Sequence, residues 1–319
     1  MKIILCGHTF PAARRALAPL LPGDDLVPVD VSDLPRAVQT ADVLLPLMAR
    51  LDAGLIAATS ARLIQQWGAG LDGVDIAAAT ARGIPVCNVP SDATLNAEST
   101  AEHALLLMLG VARQLPSCPR MFQEGAWGIP CGESLFGNVA LIVGFGRIGK
   151  ALARRLRAMG MRVDAIRRTP EPGEAERHGL HRLGAPADLP RFAADADVVV
   201  CTAAADHGSR NLIDAAVFRA MKPTAILVNV SRGALVNEAD LIAALDARTI
   251  AGAGLDVYQR EPLPAGHPLL GRENVLATPH IGGVTRQSYE GIASIVAGNI
   301  GRVRAGEPPR YCVNPLAPV

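Results

Sequence analysis

Three residues in the second half of the chain, Arg232, Glu261 and His280, are of the types that handle a carboxylate and a proton. A guanidinium grips a carboxylate bidentately, and an imidazole gives and takes a proton near neutral pH. A carboxylate beside that imidazole orients it and favours its charged form. Arg232 lies in Asn229-Val-Ser-Arg232-Gly233, Glu261 in Gly254-Leu-Asp256-Val-Tyr-Gln-Arg-Glu261-Pro262, and His280 in Thr278-Pro279-His280-Ile-Gly282-Gly283. Each stretch follows a short aliphatic run that reads as a strand. Segments past the carboxyl ends of parallel strands converge on a ligand crevice, which makes the three a constellation. Singly they read as a loop histidine, a surface ion-pair partner and a solvated glutamate.

A second feature supplies a place for a cofactor. The aliphatic run Val139–Val143 leads directly into Gly144-Phe145-Gly146-Arg147-Ile148-Gly149, and a helical pattern follows from Lys150 to Met159. A glycine triplet alone is weak evidence, but between strand and helix it is a dinucleotide-binding signature. The first glycine allows the tight turn, the second lets a pyrophosphate approach the backbone, and the third lets helix and strand pack closely. The helix N-terminus adds amide donors and positive dipole.

The next predicted strand, Arg162–Ile166, ends in Arg167-Arg168-Thr169, where an NAD site usually carries a carboxylate for the ribose 2′-hydroxyl. Two guanidinium groups there suit a 2′-phosphate, so the reading is NADP(H) in preference, with NAD(H) possible. The alternative is a solvated arginine pair beside Glu171 and Glu174. A bound nicotinamide, a cation for a carboxylate and an acid for an emerging alkoxide together describe reduction of a 2-oxo acid.

The elements that must position these groups alternate between aliphatic runs and helical patterns, as in parallel sheets covered on both faces. Half of the 319 residues are apolar and only 3% aromatic, which suits helices on an aliphatic sheet. Early strands are predicted at Ile3–Cys6, Val43–Leu45, Leu63–Gln66 and Pro85–Asn88, with helices at Ala53–Ala57 and Ile76–Arg82. Later strands are predicted at Val139–Val143, Arg162–Ile166, Val198–Cys201, Ala225–Asn229, Gly252–Leu255 and Val275–Ala277. Between the two sets, a new element starts near Asn96, with Ser99 and Glu102 at capping-box spacing ahead of an apolar run through Leu109. A helix apolar all round needs cover from a neighbouring domain or a second subunit, so a homodimer is expected. Residues 114–138 read as a loop or a wrapping segment. A final helix is predicted from Thr285 to Gly306, before an extended tail containing Pro308, Pro309, Pro315 and Pro318.

A net charge of +1, from 31 basic and 30 acidic residues, offers no footprint for nucleic acid or a membrane surface. The six cysteines are scattered with no CxxC pair, which reads as reduced thiols in a cytoplasmic protein. His103 is expected to make a buried hydrogen bond, and His178, His181, His207 and His267 to lie in polar loops. No pair has metal-ligand spacing, so no metal is expected.

The chain resembles the D-isomer-specific 2-hydroxyacid dehydrogenase family along nearly its whole length. The resemblance is carried by Gly68-Ala-Gly70-Leu-Asp72-Gly-Val-Asp75, Asn88-Val-Pro90, Ala101-Glu102-His103, the glycine loop, and the stretches around Arg232, Glu261 and His280. It implies an α/β architecture of two doubly wound parallel-sheet domains, a Rossmann coenzyme domain (96–285) inserted into a flavodoxin-like substrate domain (1–95 and 286–319), with the active site in the cleft. It implies that His280 exchanges the proton, Glu261 holds the imidazole, and Arg232 binds the carboxylate together with backbone amides at Gly68, Ala69 and Gly70. Cofactor contacts are implied for Thr202, Val230, Asp256 and Gly282 besides the glycine loop, with Asp256 at the nicotinamide. The implied reaction is reduction of glyoxylate or hydroxypyruvate by NADPH. An NAD-linked dehydrogenase of another 2-hydroxy acid such as 3-phosphoglycerate, and a cofactor-sensing binding protein like the family's corepressor branch, are the alternatives. Ala69 stands where phosphite dehydrogenases carry Lys, and Gln259, in place of an acidic residue, is expected to be unimportant. Trp67 either limits side-chain size at the substrate or packs in the core.

Overall fold

The computed structural model describes residues 1–205 and 208–314; His207 and the tail prolines Pro315 and Pro318 lie outside the described residues. The chain divides into two compact units, one built from Met1–Asn96 and Val284–Val319, the other from Ala97–Gly283.

The first unit carries a five-stranded parallel sheet: β1 (Lys2–Cys6), β2 (Asp25–Val29), β3 (Val43–Leu45), β4 (Leu63–Gln65) and β5 (Val86–Cys87). They lie in the order β2-β1-β3-β4-β5. Successive side chains of a strand point to opposite faces, and both faces are covered here. Ile3 and Leu5 pack with Leu17, Val296 and Ile300, whereas Ile4 and Cys6 pack with Leu34, Val38 and Ile56. The helix Arg286–Arg304 therefore completes a core begun by the first strand.

The second unit holds seven parallel strands: β6 (Val139–Val143), β7 (Arg162–Ile166), β8 (Arg182–Gly184), β9 (Val198–Cys201), β10 (Ile226–Asn229), β11 (Gly252–Leu255) and β12 (Val275–Ala277). Their order is β12-β11-β10-β9-β6-β7-β8. The chain runs outward from β6 to β8, then restarts at β9 and runs outward the other way. The carboxyl ends of β6 and β9 are thus a topological switch point, where doubly wound sheets bind ligands.

The aliphatic alternation predicts this two-sheet α/β class correctly. It misses β2 and β8, both edge strands. β2 contains Pro28, and β8 holds only Leu183 as a large apolar residue. Edge strands are covered less fully and need no continuous aliphatic run. The capping box is a false signal: the helix spans Asn96–Ala112, so Ser99 is a buried interior residue and Glu102 reaches Arg155 at 3.1 Å. Residues 114–138 are not wholly loop, since Cys118–Gln123 is a short helix.

Candidate active site

The glycine loop lies between β6 and the helix Arg147–Ala158. Gly144 has φ +103°, and a Cβ there would stand 2.3 Å from the Ala203 backbone after β9. A Cβ on Gly149 would meet the Gly144 carbonyl at 2.5 Å, whereas one on Gly146 would face open space. The first and third glycines are thus required by packing, and the second leaves room at the amide-rich start of the helix. That is the cradle a pyrophosphate needs, with the first-turn amides having no intrahelical acceptor. Arg147 and Ile148 form this first turn. Thr202 donates to the Gly144 carbonyl at 2.6 Å and so fixes the loop from the neighbouring strand, while Val230 is buried, its amide bonded to Cys201. Phe145 is buried as well, edge-on to His178 and beneath Lys150. Its amide donates to the Ile166 carbonyl at 3.1 Å, which makes it a packing residue.

At the tip of β7 the structure changes the reading of Arg167. Its guanidinium donates to Glu174 and lies 3.1 Å from Glu171. Glu174 is 1% exposed and also takes Lys150 at 3.3 Å. Burial alone would raise the Glu174 carboxyl, but hydrogen bonds from Arg167 and Lys150 outweigh it and hold the group below its usual range. Arg167 is therefore ion-paired with both carboxylates while remaining partly exposed. Arg168, next along, is exposed.

The Arg, Glu and His residues follow β10, β11 and β12, which are adjacent in the sheet. His280 Nδ1 lies 2.6 Å from Glu261 Oε2, and Glu261 Oε1 accepts the Tyr258 amide at 2.9 Å. The carboxylate is held at both oxygens, and Nδ1 is the imidazole nitrogen turned toward it. Arg232 is held by its backbone, its carbonyl accepting Asn229 Nδ2 at 3.0 Å. A Cβ on the next residue, Gly233, would stand 1.9 Å from the Tyr258 carbonyl carbon, so the Arg232 loop lies directly on the loop that carries Glu261. Gln259, expected to be unimportant, bonds the two: its Nε2 donates to the Val236 carbonyl at 2.9 Å.

Asp256 organises the His280 loop. Its Oδ1 accepts Thr278 Oγ1 at 2.6 Å and the Ile281 amide at 2.8 Å; its Oδ2 accepts the Gly282 amide at 2.8 Å. Its backbone carbonyl accepts the His280 amide at 2.9 Å. His280 itself has φ +55°, a left-handed conformation costing a non-glycine roughly 1–2 kcal/mol. Hydrogen bonds to a charged acceptor contribute about 1.5–3 kcal/mol each, so those to Asp256 outweigh the strain. The carboxylate is 2% exposed; burial raises it, but these bonds and one from His103 keep it below the usual range. His103, whose Nε2 lies 2.9 Å from Thr278 Oγ1 and 3.3 Å from Asp256, makes the buried hydrogen bond its position predicted. Its part in the loop is not readable from spacing, because Asp256 lies 153 residues further along the chain.

In the first unit, the Gly68–Gly70 turn has its three carbonyls bound internally: to the Val89 amide at 2.9 Å, Asn88 Nδ2 at 2.9 Å and Gln66 Nε2 at 2.8 Å. The amides of Gly68, Ala69 and Gly70 have no acceptor among the described residues. A turn with its carbonyls satisfied and its amides presented suits an anion. Trp67 is buried in the core, edge-on to Tyr289 at 5.4 Å between centroids. Among the described residues no helix is long and apolar enough to cross a membrane, and no three His, Cys, Asp or Glu side chains cluster as metal ligands.

Comparisons with known proteins agree on one family. Residues 105–282 match the model of the D-isomer specific 2-hydroxyacid dehydrogenase, NAD binding domain. A glyoxylate reductase of Thermococcus kodakarensis is 37% identical over 290 residues, 88% of this chain and 85% of that protein. A D-3-phosphoglycerate dehydrogenase of Archaeoglobus fulgidus is 38% identical over 268 residues, 83% of this chain but 50% of that protein, so the chain spans half the length of that relative. Among solved structures, an NADPH-dependent glyoxylate/hydroxypyruvate reductase from Sinorhizobium meliloti, in complex with NADP and malonate, superposes with a TM-score of 0.83 at 30% identity, covering 98% of this chain and 96% of that one.

Proposed function

The chain belongs to the D-isomer specific 2-hydroxyacid dehydrogenase family, and from that premise we propose that it reduces a small 2-oxo acid, glyoxylate or hydroxypyruvate, with NADPH. The observation that carries the reading is the contact of His280 Nδ1 with Glu261 Oε2 at 2.6 Å, on a strand end two strands from the one that carries Arg232. The pair is a built proton donor, and Arg232 is the cation that a carboxylate substrate requires. When bound, the reduced nicotinamide supplies the hydride. The protein's own residues do the rest. Arg232 holds the carboxylate and draws charge toward the carbonyl oxygen; the amides at Gly68, Ala69 and Gly70 form a second set of anion donors. His280 delivers the Nε2 proton to the developing alkoxide, and Glu261 stabilises the imidazolium before transfer. In the oxidative direction the same nitrogen takes the proton back.

NADPH preference is supported by the tip of β7, where Arg167 and Arg168 stand and both Glu174 and Glu171 are ion-paired with Arg167. Arg168 is the side chain that would take the 2′-phosphate, with Arg167 fixed by Glu174 as its support. A panel of 2-oxo acids assayed with NADPH and NADH side by side tests substrate and cofactor together. The expected result is highest kcat/KM for glyoxylate or hydroxypyruvate with NADPH, and loss of most of the NADPH advantage in Arg168→Ala. A preference for NADH would refute the cofactor reading. Efficient oxidation of 3-phosphoglycerate would favour the second member of the family to which the chain is similar.

A homodimer is the expected assembly. The helix Asn96–Ala112 buries Ala104, Leu107 and Met108 within its own unit but leaves Leu106 54% exposed. In the same unit Phe122, Trp127 and Phe136 are 70–82% exposed. Single exposed apolar residues are ordinary; several large ones concentrated in residues 106–136 call for a partner. Sedimentation equilibrium should give twice the chain mass, and a monomer at micromolar concentration would refute this.

A further inference from the structure

The outer edge of β5 is covered by the segment Tyr311–Asn314, which runs antiparallel to it. Val313 donates its amide to the Val86 carbonyl at 2.8 Å, and Asn88 donates to the Tyr311 carbonyl at 3.3 Å. These two bonds flank the bridged pair Cys87 and Cys312. The two cysteines are thus a non-hydrogen-bonded antiparallel pair, in which facing Cα atoms stand about 4.5 Å apart and side chains share one face. A disulfide requires Cα atoms roughly 4.4–6.8 Å apart, and facing residues of such a pair fall within that range. The register does not depend on the thiols. Asn314, itself buried, accepts the Val86 amide at 2.8 Å and donates to the Ile84 carbonyl at 2.9 Å and to Thr80 Oγ1 at 3.1 Å.

The two sulfurs differ in access. Cys312 is exposed, its Sγ 3.2 Å from Asn314 Oδ1, while Cys87 is fully buried. Burial pushes the Cys87 thiol up strongly, and the adjacent Cys312 thiol, its hydrogen-bond partner, adds to the effect. Cys87 is therefore out of reach of solutes, and Cys312 is the sulfur an oxidant meets first.

We propose that Cys87 and Cys312 form a reversible redox pair that hydrogen peroxide closes into a disulfide. Cys312 sulfur attacks one peroxide oxygen, the O–O bond breaks, and Cys312 becomes a sulfenic acid with release of one water. Cys87 sulfur then attacks Cys312 sulfur; the S–S bond forms, the S–O bond breaks, and the hydroxyl leaves with the Cys87 proton as a second water. Two thiols lose two electrons and two protons, and one peroxide becomes two waters. The bond lies one residue from Asn88, whose side chain holds the Ala69 carbonyl, and two from Val89, whose amide holds Gly68. Oxidation thus staples the terminal segment to the strand that supports the anion-binding turn, and reduction releases it.

The test uses the full reduced chain treated with hydrogen peroxide at pH 8, acid-quenched, unfolded, alkylated and digested. The expected product is a cross-linked peptide joining Cys87 to Cys312, two mass units lighter than the two thiol peptides together and reversed by dithiothreitol. In Cys312→Ser, Cys87 should remain fully alkylatable after the same treatment. Cys312 driven to sulfinic acid with Cys87 still reduced, or a cross-link from Cys312 to Cys118 or Cys131, would overturn the proposal. The thermal midpoint should hold or rise on closure; a fall would mean that the bond distorts the pairing, and would overturn the claim that the pair is preset. None of these outcomes depends on which 2-oxo acid the enzyme takes.

Discussion

His280→Ala should lose about 100- to 10,000-fold in kcat while its dissociation constant for NADPH stays near that of the unsubstituted protein, the span expected for removal of a positioned general acid. The separation of the two effects follows from how the loop is held. His280's neighbours are fixed through the Ile281 and Gly282 amides and through its own amide, all bonded to Asp256. None of these bonds uses the imidazole, so truncation removes the proton donor and leaves the loop in place. Alanine also keeps the same backbone conformation, with φ near +55°, at the strain already present. Stopped-flow single turnovers give the chemical step, and fluorescence titration with NADPH gives binding. Turnover near normal would refute the assignment; equal losses in both would mean that His280 is structural.

Arg232→Gln should lower kcat/KM for a 2-oxo acid about 100- to 1,000-fold, as the loss of a charged donor at a developing oxyanion does. Arg232→Lys should recover only part of this, because an ammonium lacks the planar fork that matches a carboxylate. The fold should be untouched, since the loop is fixed by the Arg232 carbonyl on Asn229 and by Gly233 against Tyr258. Gly233→Ala is the useful contrast: its Cβ would stand 1.9 Å from a backbone carbon, and it should lose thermal stability as well as activity. An unchanged kcat/KM in Arg232→Gln would remove the guanidinium from substrate recognition.

What the sequence made legible was chiefly what is local. The glycine loop could be read because strand, turn and helix are contiguous, and the three glycines act on atoms close to them. Arg232, Glu261 and His280 were readable as chemistry and as one constellation at strand ends, but the order of their strands β10, β11 and β12 in the sheet, and the Nδ1–Oε2 contact, come only from the fold. The ion pair of Arg167 with Glu174, in the sequence only an alternative to the phosphate reading, depends likewise on the fold. Glu174 reaches Arg167 only after the chain reverses through Gly173, at φ +72°. Asp256 shows the same limit more strongly: its partners come from the helix of His103 and the loop of Thr278, and only the folded sheet brings them to one carboxylate. The apolar strip on the helix Asn96–Ala112 was visible as composition, yet which of its leucines face outward depended on where the helix actually begins.

The unit of residues Ala97–Gly283 interrupts the other one, and this sets an order of events during synthesis. Ile3, Leu5 and Leu17 leave the ribosome early, but their core also needs Val296 and Ile300 from the last helix. At about 5–20 residues per second, the 187 intervening residues (283 − 97 + 1) take roughly 10–40 s to make. For that interval the nascent first strands have no complete core to join, while the inserted unit, continuous in sequence, can fold as it emerges. One face of β1, through Ile4 and Cys6, can close early on Leu34, Val38 and Ile56, while the face of Ile3 and Leu5 stays open until the last helix is made.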